Sequence, residues 1–297
     1  HGCTFCAPCT DGPLAATCPN CGGELVPRPR LKVAPPEPPP TAPRRLVCLS
    51  QETAETLALL GLEDRVVGVS SFVARPVGAF DGAARIGGFS TSDVGAIAAL
   101  EPDLVLLYSD VQADLAAELL RAGLEVHAFH HTDLAGMLAM VRTIGRLAGV
   151  PDRGEALAAS LAAQLEAARG TAPTGPRRRV YFEEWNDPLV TGVRWVSELI
   201  ELAGGEDVFA DLSHGAHAKD RVVEAADVVA AAPDVVLASW CGKPFRRERL
   251  EARPGWSELP AVRTGRVHGL DSTPLLAPGP GLATEALELL RAAIAAD

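Results

Sequence analysis

The predicted fold is arranged around the stretch PDRGEALAASLAAQLEAAR, from Pro151 to Arg169. Leu157, Leu161 and Leu165 recur every fourth residue on one stripe, which is the spacing of an α-helix. The proline stands in the first turn, where its missing N–H costs nothing. The stretch therefore predicts one helix about 28 Å long at 1.5 Å per residue, which is the width of a small domain.

Blocks of similar pattern lie on both sides of this helix. In each block short β-branched runs alternate with helical runs, as in βαβ units. The sequence therefore predicts an α/β fold of two Rossmann-like lobes joined by a single long backbone helix and preceded by a small zinc-knuckle segment. The expected domains are a cysteine-rich segment (1–26), a proline-rich linker (27–44), an N-terminal α/β lobe (45–132), connecting helices (133–170) and a C-terminal α/β lobe (171–297). Two such lobes would meet in a cleft, where small ligands usually bind.

Predicted strands and helices alternate along both lobes. The strands are expected at 46–49, 65–70, 103–108, 125–129, 180–184, 234–238 and 266–270, and the helices at 50–60, 93–100, 112–122, 133–148, 195–202, 223–231 and from 282 onward. EPDLVLLYS (101–109) and APDVVLASW (232–240) look like equivalent strands, one in each lobe. Each ends in loop residues at its carboxyl end, which is where open α/β sheets place ligands.

Composition limits the classes of function. The chain has 297 residues, of which 47% are hydrophobic, so it can bury a substantial core. Its net charge of −11 disfavours a nucleic-acid partner, because phosphate binding needs a basic face. No apolar run reaches the length of about 18 residues that a membrane span needs. The loops show no nucleophile elbow, P-loop or paired acid motif, so an enzyme is not expected.

The cysteines bear on the compartment. Five of the seven cysteines fall within the first 21 residues, whereas Cys48 and Cys241 stand alone. This distribution argues against a disulfide framework and favours a reducing compartment. With no signal peptide visible, we expect a cytoplasmic location. A periplasmic or cell-surface lipoprotein location stays open, because the chain opens with His1 rather than Met.

The first segment carries a metal-binding pattern. Cys3 and Cys6 form one CxxC turn, and Cys18 and Cys21 form a second that two glycines follow. Two such turns close a tetrahedral thiolate site, the arrangement that structural zinc prefers. Cys9 is then surplus or belongs to a second, incomplete zinc site. The segment resembles a family of small, uncharacterised, cysteine-rich bacterial proteins that end in a CPNCGGEL-type run.

A linker follows this segment. The run PRPRLKVAPPEPPPTAP (27–43) favours extended polyproline II, a semi-rigid spacer without a core of its own. We therefore expect the head and the body to be separate domains.

Four runs of the body carry a family resemblance: LSQETAETLALLGLEDRVVGVS (49–70), ALEPDLVL (99–106), EEWNDPLVTGVRWVSELIELAGGEDVF (183–209) and RPGWSELPAVRTGRVHGLD (253–271). With them, residues 45–297 resemble the cobalamin-type, helical-backbone (class III) substrate-binding proteins of ABC importers. The third run is the most discriminating of the four. The resemblance implies two lobes, a rigid linking helix, a ligand between the lobes and an ABC permease as partner. Siderophore and haem binders share this fold, so it does not fix the ligand.

Aromatic residues in the predicted cleft loops are the candidate ligand contacts. A corrin is a large flattened ring with amide arms, so its site needs aromatic or apolar platforms and a few polar groups. The candidates are Phe72, Phe89, Trp185, Asn186, Trp195, Trp240 and Phe245. Three of the four tryptophans fall in this set, and Phe89 matches a family position that is often an aromatic ligand contact. Ordinary packing is the alternative interpretation for each aromatic residue.

Other side chains near the predicted cleft are compatible with more than one kind of ligand. An imidazole could coordinate cobalt or haem iron, although a solvated or capping role is the alternative for each histidine near the cleft. These histidines are His130, His131, His214 and His217. Tyr108 is the candidate for a haem phenolate ligand. Lys243, Arg246 and Arg247 would suit an anionic chelate.

The sequence therefore predicts a binding protein for a corrinoid such as cobalamin, held in the cleft and linked to ABC-type uptake. The first alternative keeps the fold and changes the ligand to a siderophore or haem. The second is a cytoplasmic corrinoid sensor or adaptor that uses the zinc head for protein contacts.

Docking to a permease is a further question. Importer binding proteins of this type present a surface glutamate on each lobe, and the matching positions here are near Gly95 and Ala226. Asp93, Glu224 and Asp227 are the acidic neighbours that could substitute for those glutamates. We therefore expect weak or altered docking.

Overall fold

The computed structural model describes residues 12, 14–19, 22–25, 42–171, 175–215 and 217–296. The chain divides into two compact units, His1–Thr41 and Ala42–Asp297. Among the residues that the structure describes, none of the helices combines the length and apolar character needed to cross a membrane.

In the first unit the structure describes one turn. Thr17 and Glu24 form an antiparallel bridge, and the N–H of Cys18 donates to the Gly23 carbonyl at 2.8 Å. The Cys18 side chain is buried within this turn. The other predicted zinc ligands, which are Cys3, Cys6, Cys9 and Cys21, lie outside the described residues. Within the described part of the chain, no cluster of three or more His, Cys, Asp or Glu side chains could hold a metal ion.

The first lobe is built on a parallel five-stranded sheet in the order β3-β2-β1-β4-β5. Its strands are β1 (Leu46–Cys48), β2 (Val66–Val69), β3 (Ala84–Arg85), β4 (Leu104–Tyr108) and β5 (Val126–Phe129), and its helices are α1 (Gln51–Leu59), α2 (Val94–Ala99) and α3 (Ala113–Arg121). Every residue of β1 and β4 is buried, as expected of apolar strands covered on both faces.

Two packed helices connect the lobes. They are α4 (Leu134–Leu147) and α5 (Pro151–Gly170), so the helix predicted from Pro151 is confirmed. Leu161 and Leu165 of the predicted stripe are buried. The helices approach closely at Gly145, where an added Cβ would lie 2.7 Å from the Cα of Gly154.

The second lobe contains a mixed sheet. Its strands are β6 (Arg178–Asn186), β7 (Leu189–Thr191), β8 (Gly205–Asp207), β9 (Val222–Val223), β10 (Val235–Ala238) and β11 (Val267–Gly269). Its helices are α6 (Arg194–Leu202), α7 (Ala225–Ala231), α8 (Arg247–Glu251), α9 (Pro260–Arg263), α10 (Ser272–Leu276) and α11 (Glu285–Ala295). The order is β11-β10-β6-β7-β9, with β8 pairing the first part of β6.

This lobe differs from the prediction in one important way. Strand β6 runs on to Asn186 and turns back through Asp187 and Pro188 into β7, which pairs with it antiparallel. A two-residue turn can join only antiparallel strands, so the Asn-Asp-Pro sequence sets the direction of β7. The hairpin brings Trp185 to the end of the sheet. The closing helix also begins later than predicted, because Pro280–Ala283 forms a 3-10 turn before Glu285.

The two strands predicted to be equivalent do occupy equivalent places. Asp103, just before β4, accepts the N–H of Arg45 at 2.8 Å at the start of β1. Asp234, just before β10, accepts the N–H of Arg179 at 2.8 Å near the start of β6. In each lobe an aspartate therefore fixes where two neighbouring parallel strands begin, so that both end at the cleft.

Candidate functional site: the cleft between the lobes

A cavity of about 530 Å³ lies where β4 and β5 of the first lobe end, and residues of both lobes line it. Its lining includes Ser109, Asp110 and His130 from the first lobe and Glu184, Trp195 and Lys219 from the second. The position agrees with the expectation that ligands bind at the carboxyl ends of parallel strands.

A second cavity of about 440 Å³ adjoins the first. The two share Glu184, Ala218 and Lys219, so they form one continuous cleft. Trp185 and Cys241 border only the second cavity. Partial burial and the carboxylate of Glu184 raise the pKa of the Cys241 thiol, so this thiol stays protonated near neutral pH.

A third cavity, of about 600 Å³, is larger but lies elsewhere. It runs along α4, α5 and α6, over Leu138, Leu165 and Leu202. No strand of either sheet contributes to its lining. The cleft is therefore the candidate ligand site, because strand ends and residues of both lobes converge there.

Two predicted tryptophans border the cleft. The indole N–H of Trp185 donates to the Asp187 carbonyl at 2.8 Å, and the Lys243 ammonium lies 3.5 Å from the ring centroid. Trp195 is 7% exposed, and its indole N–H donates to the Leu275 carbonyl at 2.9 Å. Its backbone N–H donates to the Thr132 carbonyl of the first lobe at 3.0 Å. Trp195 therefore links the two lobes at the wall of the cleft.

Trp240 and Phe245 lie elsewhere than the sequence suggests. Trp240 is 3% exposed, and its indole N–H donates to Glu183 Oε1 at 2.8 Å. Phe245 packs edge-on against it with ring centroids 5.3 Å apart. Neither residue lines the two cleft cavities, and both pack in the second-lobe core, so ligand contact by these two side chains stays a prediction. The physical reason for this packing is Glu183, a fully buried carboxylate that needs hydrogen-bond donors.

The remaining candidates occupy the rim or the strand ends. Phe72 is 67% exposed and Phe89 is half-buried against the first-lobe core. Both follow strands of the first sheet but lie outside the lining of the two cavities. Asn186 ends β6, and its buried Oδ1 has no hydrogen-bond partner among the described residues.

Charged residues that the sequence patterns did not identify as candidates line the cleft. Arg221 is 5% exposed, and it donates to Glu184 Oε2 at 2.7 Å and to the Thr191 carbonyl. This pair holds Glu184 between the two cavities. Lys219 stands two residues before Arg221 and lines both cavities. The only sequence signal was a polar loop after His217, with no periodicity that would place these side chains.

The histidines separate into distinct groups. His131 Nε2 lies 2.8 Å from the Pro278 carbonyl, and burial lowers the pKa of His131. The Tyr108 hydroxyl donates to the His131 carbonyl at 2.5 Å, and burial raises the pKa of Tyr108. His130 and His217 line the first cavity from opposite lobes, whereas His214 does not.

Carboxyl groups of α1 lie against the second lobe. Glu52 is 3% exposed, and its burial raises its pKa to about 7. A Cβ added at Gly279 of the second lobe would lie 2.8 Å from the Glu52 Cβ, so only glycine fits there. Arg75 spans the junction, 3.5 Å from Glu55 and in contact with Glu285 of the second lobe.

The acidic neighbours of the expected docking positions cap helices. Asp93 Oδ1 accepts the N–H of Gly95 at 2.8 Å at the start of α2. Asp227 Oδ2 accepts the N–H of Glu224 at 3.0 Å at the start of α7. All three carboxylates are exposed, so each lobe presents negative charge at one helix N-terminus.

The fold and the cleft are those of a two-lobed α/β protein with a candidate site for a small ligand between its lobes. A family model described as periplasmic binding protein matches residues 46–274, and the chain belongs to that family. A second model, described as a protein of unknown function (DUF1272), matches residues 1–31. This second match confirms that the cysteine-rich head resembles a separate family.

Three relatives are informative. A cobalamin-binding protein of Halobacterium salinarum is 31% identical over 199 residues, which are 66% of this chain and 53% of that protein. The chain therefore spans about half the length of this relative. A vitamin B12-binding protein of Vibrio campbellii is 25% identical over 77% of this chain and 82% of that protein. The solved structure of the periplasmic heme-binding protein RhuT from Roseiflexus sp. RS-1 has a TM-score of 0.68 and 28% identity, covering 84% of this chain and 99% of that one.

Proposed function

We propose that the chain binds a corrinoid in the cleft between its lobes and presents it to an ABC-type permease. The observation that carries this proposal is the continuous cleft formed by the two cavities, which has Trp185 at one end and residues of both lobes along its walls. The names of the Halobacterium and Vibrio relatives support a corrinoid as the ligand.

The cleft has surfaces for both parts of such a ligand. Val111 is 62% exposed and Val222 is 37% exposed, and these side chains offer apolar contact to the face of a corrin ring. Asp110 and Glu184 can accept hydrogen bonds from its amide arms, and Lys219 can donate to them. A large flat ring that carries amides suits this mixture of apolar and polar groups.

Haem bound through a tyrosine ligand fits the cleft less well. An anionic phenolate would be its tyrosine ligand, but burial raises the pKa of Tyr108 and its hydroxyl is engaged by the His131 carbonyl. The similarity to RhuT keeps haem as the second candidate to be tested.

The basic residues expected to bind an anionic siderophore do not line the cleft. Lys243 lies on the Trp185 ring, and Arg247 donates to Glu251 and to the Gly265 carbonyl, both at 2.8 Å. Neither these two residues nor Arg246 is part of the lining of the two cavities.

Calorimetric titration separates these ligands. The purified chain is titrated with aquacobalamin, with hemin and with a ferric hydroxamate chelate. We expect a dissociation constant in the micromolar range or tighter for aquacobalamin, as a ligand-delivery protein needs, and weaker binding of the other two. Tight hemin binding together with no cobalamin binding at micromolar concentration would overturn the proposal.

A location outside the cytoplasm goes with this function, because a binding protein that serves an importer meets its ligand on the outer side. The periplasmic binding protein family supports this location over the cytoplasmic one expected from the cysteines. Fractionation of the source cells, with detection of the native protein, tests it. Recovery in the cytosol alone would favour the sensor or adaptor hypothesis.

For the N-terminal segment we propose one zinc ion held by Cys3, Cys6, Cys18 and Cys21, with Cys9 as the surplus thiol. The spacing of the cysteines and the turn at Cys18 support this proposal. We expect about one zinc per chain by elemental analysis. Cys18→Ser should release the zinc and leave the two lobes folded, whereas Cys241→Ser, at the border of the cleft, serves as the control. Zinc content that survives Cys18→Ser would contradict the assignment.

A further inference from the structure

The first cavity has an imidazole on each side. His130 follows β5 of the first lobe, and His217 lies in the second lobe just before the 3-10 turn Ala218–Arg221. Both are exposed. The other two histidines near the cleft differ from this pair, because His131 is engaged by the Pro278 carbonyl and His214 lies outside the lining of the cavity.

His217 also has a carboxylate beside it. Its Nδ1 lies 3.1 Å from Oδ2 of Asp110, which belongs to the first lobe, and the two side chains are 50% and 51% exposed. A carboxylate next to Nδ1 favours the tautomer that carries the proton there, so the lone pair resides on Nε2. This is how proteins commonly orient an imidazole for a metal, with the far nitrogen left as the ligand.

The inference below rests on the proposed function, in which the ligand is a corrinoid. A corrinoid brings a cobalt ion whose axial positions lie above and below the ring. A ring bound with its two faces toward the two lobes would direct these positions at side chains of the cavity lining such as His217. Imidazole nitrogen is a good ligand for the later first-row transition metals, among which is cobalt.

We propose that His217, oriented by Asp110, is an axial ligand of the cobalt in a corrinoid bound in the cleft. The Nε2 lone pair forms the Co–N bond, and the axial water leaves as a water molecule. The cobalt keeps its oxidation state, and no proton is transferred. The preferred ligand class is thus a corrinoid with an exchangeable axial water.

His130 provides a matched comparison. It borders the same cavity from the opposite lobe, but the described residues give it no carboxylate partner. It therefore lacks the orientation that Asp110 gives to His217. Asp110 itself acts as a positioning residue, because its contact is with the imidazole.

The test uses aquacobinamide, a corrinoid that lacks its own nucleotide base. Equilibrium dialysis measures binding, and the visible spectrum measures ligation. The reduced cobalt(II) form is also examined by electron paramagnetic resonance, in which an axial nitrogen splits the cobalt lines. Free cobinamide with and without imidazole gives the two reference spectra.

We expect the parent chain to give the nitrogen-ligated spectrum. His217→Phe should lose that spectrum and weaken binding by about tenfold or more, the lower end of the cost of disturbing a metal site. Asp110→Asn should give a mixture of ligated and unligated spectra. His214→Phe, which changes a histidine outside the lining of the cavity, should keep the parent spectrum.

Two results would overturn the proposal. In the first, the parent binds cobinamide but leaves the spectrum of the free aqua form unchanged, so that His217 and Asp110 act only as a contact between the lobes. In the second, His217→Phe keeps the nitrogen signature. Failure of every form to bind cobinamide in dialysis would count against the corrinoid function itself, and so the two failures are distinguishable.

Discussion

Each lobe buries a carboxyl group near the carboxyl end of its first strand, but the two groups are treated differently. In the second lobe, Glu183 accepts hydrogen bonds from Trp240 at 2.8 Å, from Arg253 at 2.9 Å and from Tyr181 at 3.1 Å. In the first lobe, Glu52 Oε1 is buried without a hydrogen-bond partner among the described residues.

The two carboxyl groups are buried in two physically different ways. A buried charge must be paired and hydrogen-bonded, and Glu183 meets this condition through Arg253. Glu52 instead has its pKa raised to about 7 by burial, so near neutral pH it is present in both the neutral and the charged form. The second lobe is therefore fixed electrostatically, whereas the junction between the lobes contains a group that titrates.

Removing the cation from the paired site should have the largest effect. Arg253→Leu leaves Glu183 buried and unpaired, and we expect the free energy of unfolding to fall by about 3–5 kcal/mol. Urea denaturation followed by circular dichroism measures this loss. The matched change in the first lobe, Arg75→Leu, should cost less, because burial raises the pKa of Glu55 and so allows that group to take up a proton. Equal losses in the two variants would remove the contrast between the lobes.

The pH dependence of stability should show the second largest effect. Burial raises the pKa of Glu52 to about 7, above the value of about 4.3 for an unfolded glutamate. The stability that depends on its proton is fully present below the unfolded pKa and is lost as the pH rises through the folded pKa. From pH 5 to pH 8 we expect this group to cost the parent about 2–3 kcal/mol of unfolding free energy.

Glu52→Gln should abolish that part of the pH dependence, because an amide does not titrate. Denaturation curves of the parent and the variant at each pH give the difference. The exposed Glu63→Gln is the control and should follow the parent. Parallel curves for the parent and Glu52→Gln would show that Glu52 does not titrate in this range.

A third expected effect is on ligand affinity and concerns the aromatic surfaces of the two lobes. Trp185→Ala removes a ring at the cleft, and burial of a large side chain contributes roughly 1.5–3 kcal/mol, so cobalamin affinity should fall by about ten- to a hundredfold. Phe72→Ala, on the first lobe, should change affinity less because its side chain lies outside the cavities. Calorimetry on both variants measures the contrast, and a larger loss for Phe72→Ala would reverse it.

Trp240→Ala tests the packing role of that residue, and of the three aromatic variants it should change ligand affinity least. It should lower the free energy of unfolding by about 3–5 kcal/mol, because it removes a core side chain together with a donor to Glu183. Affinity for cobalamin at a temperature where the variant stays folded should change little. A loss of affinity without a loss of stability would restore the original expectation.

Local patterns were enough to predict most of the fold. Apolar β-branched runs bounded by glycine, proline and polar residues located the strands of both lobes, and the family resemblance gave their arrangement. The β6–β7 hairpin was missed because Asn186-Asp187-Pro188 interrupts a run that reads as one strand followed by a loop. The strands β3, β7, β8 and β9 were not predicted, because their two or three residues carry too little periodicity.

The candidate site was harder to predict, for a physical reason. Trp185 and Trp195 lie at the cleft, but Trp240 follows a strand just as Trp185 does and is buried. What separates the two tryptophans is Glu183, whose partner Arg253 is 70 residues further along the chain. Contacts between residues so far apart in sequence leave no local signal, and the same is true of the pair formed by Asp110 and His217.

The close approach of α4 and α5 has a consequence for how fast the ligand exchanges. Gly145 and Gly154 bring the two connecting helices together with no room for a side chain, so we expect the two helices to move as one rigid element. Such an element should resist large rotations of one lobe against the other. We therefore expect a bound ligand to leave through local opening of the cleft walls, and mutations there to change mainly its residence time.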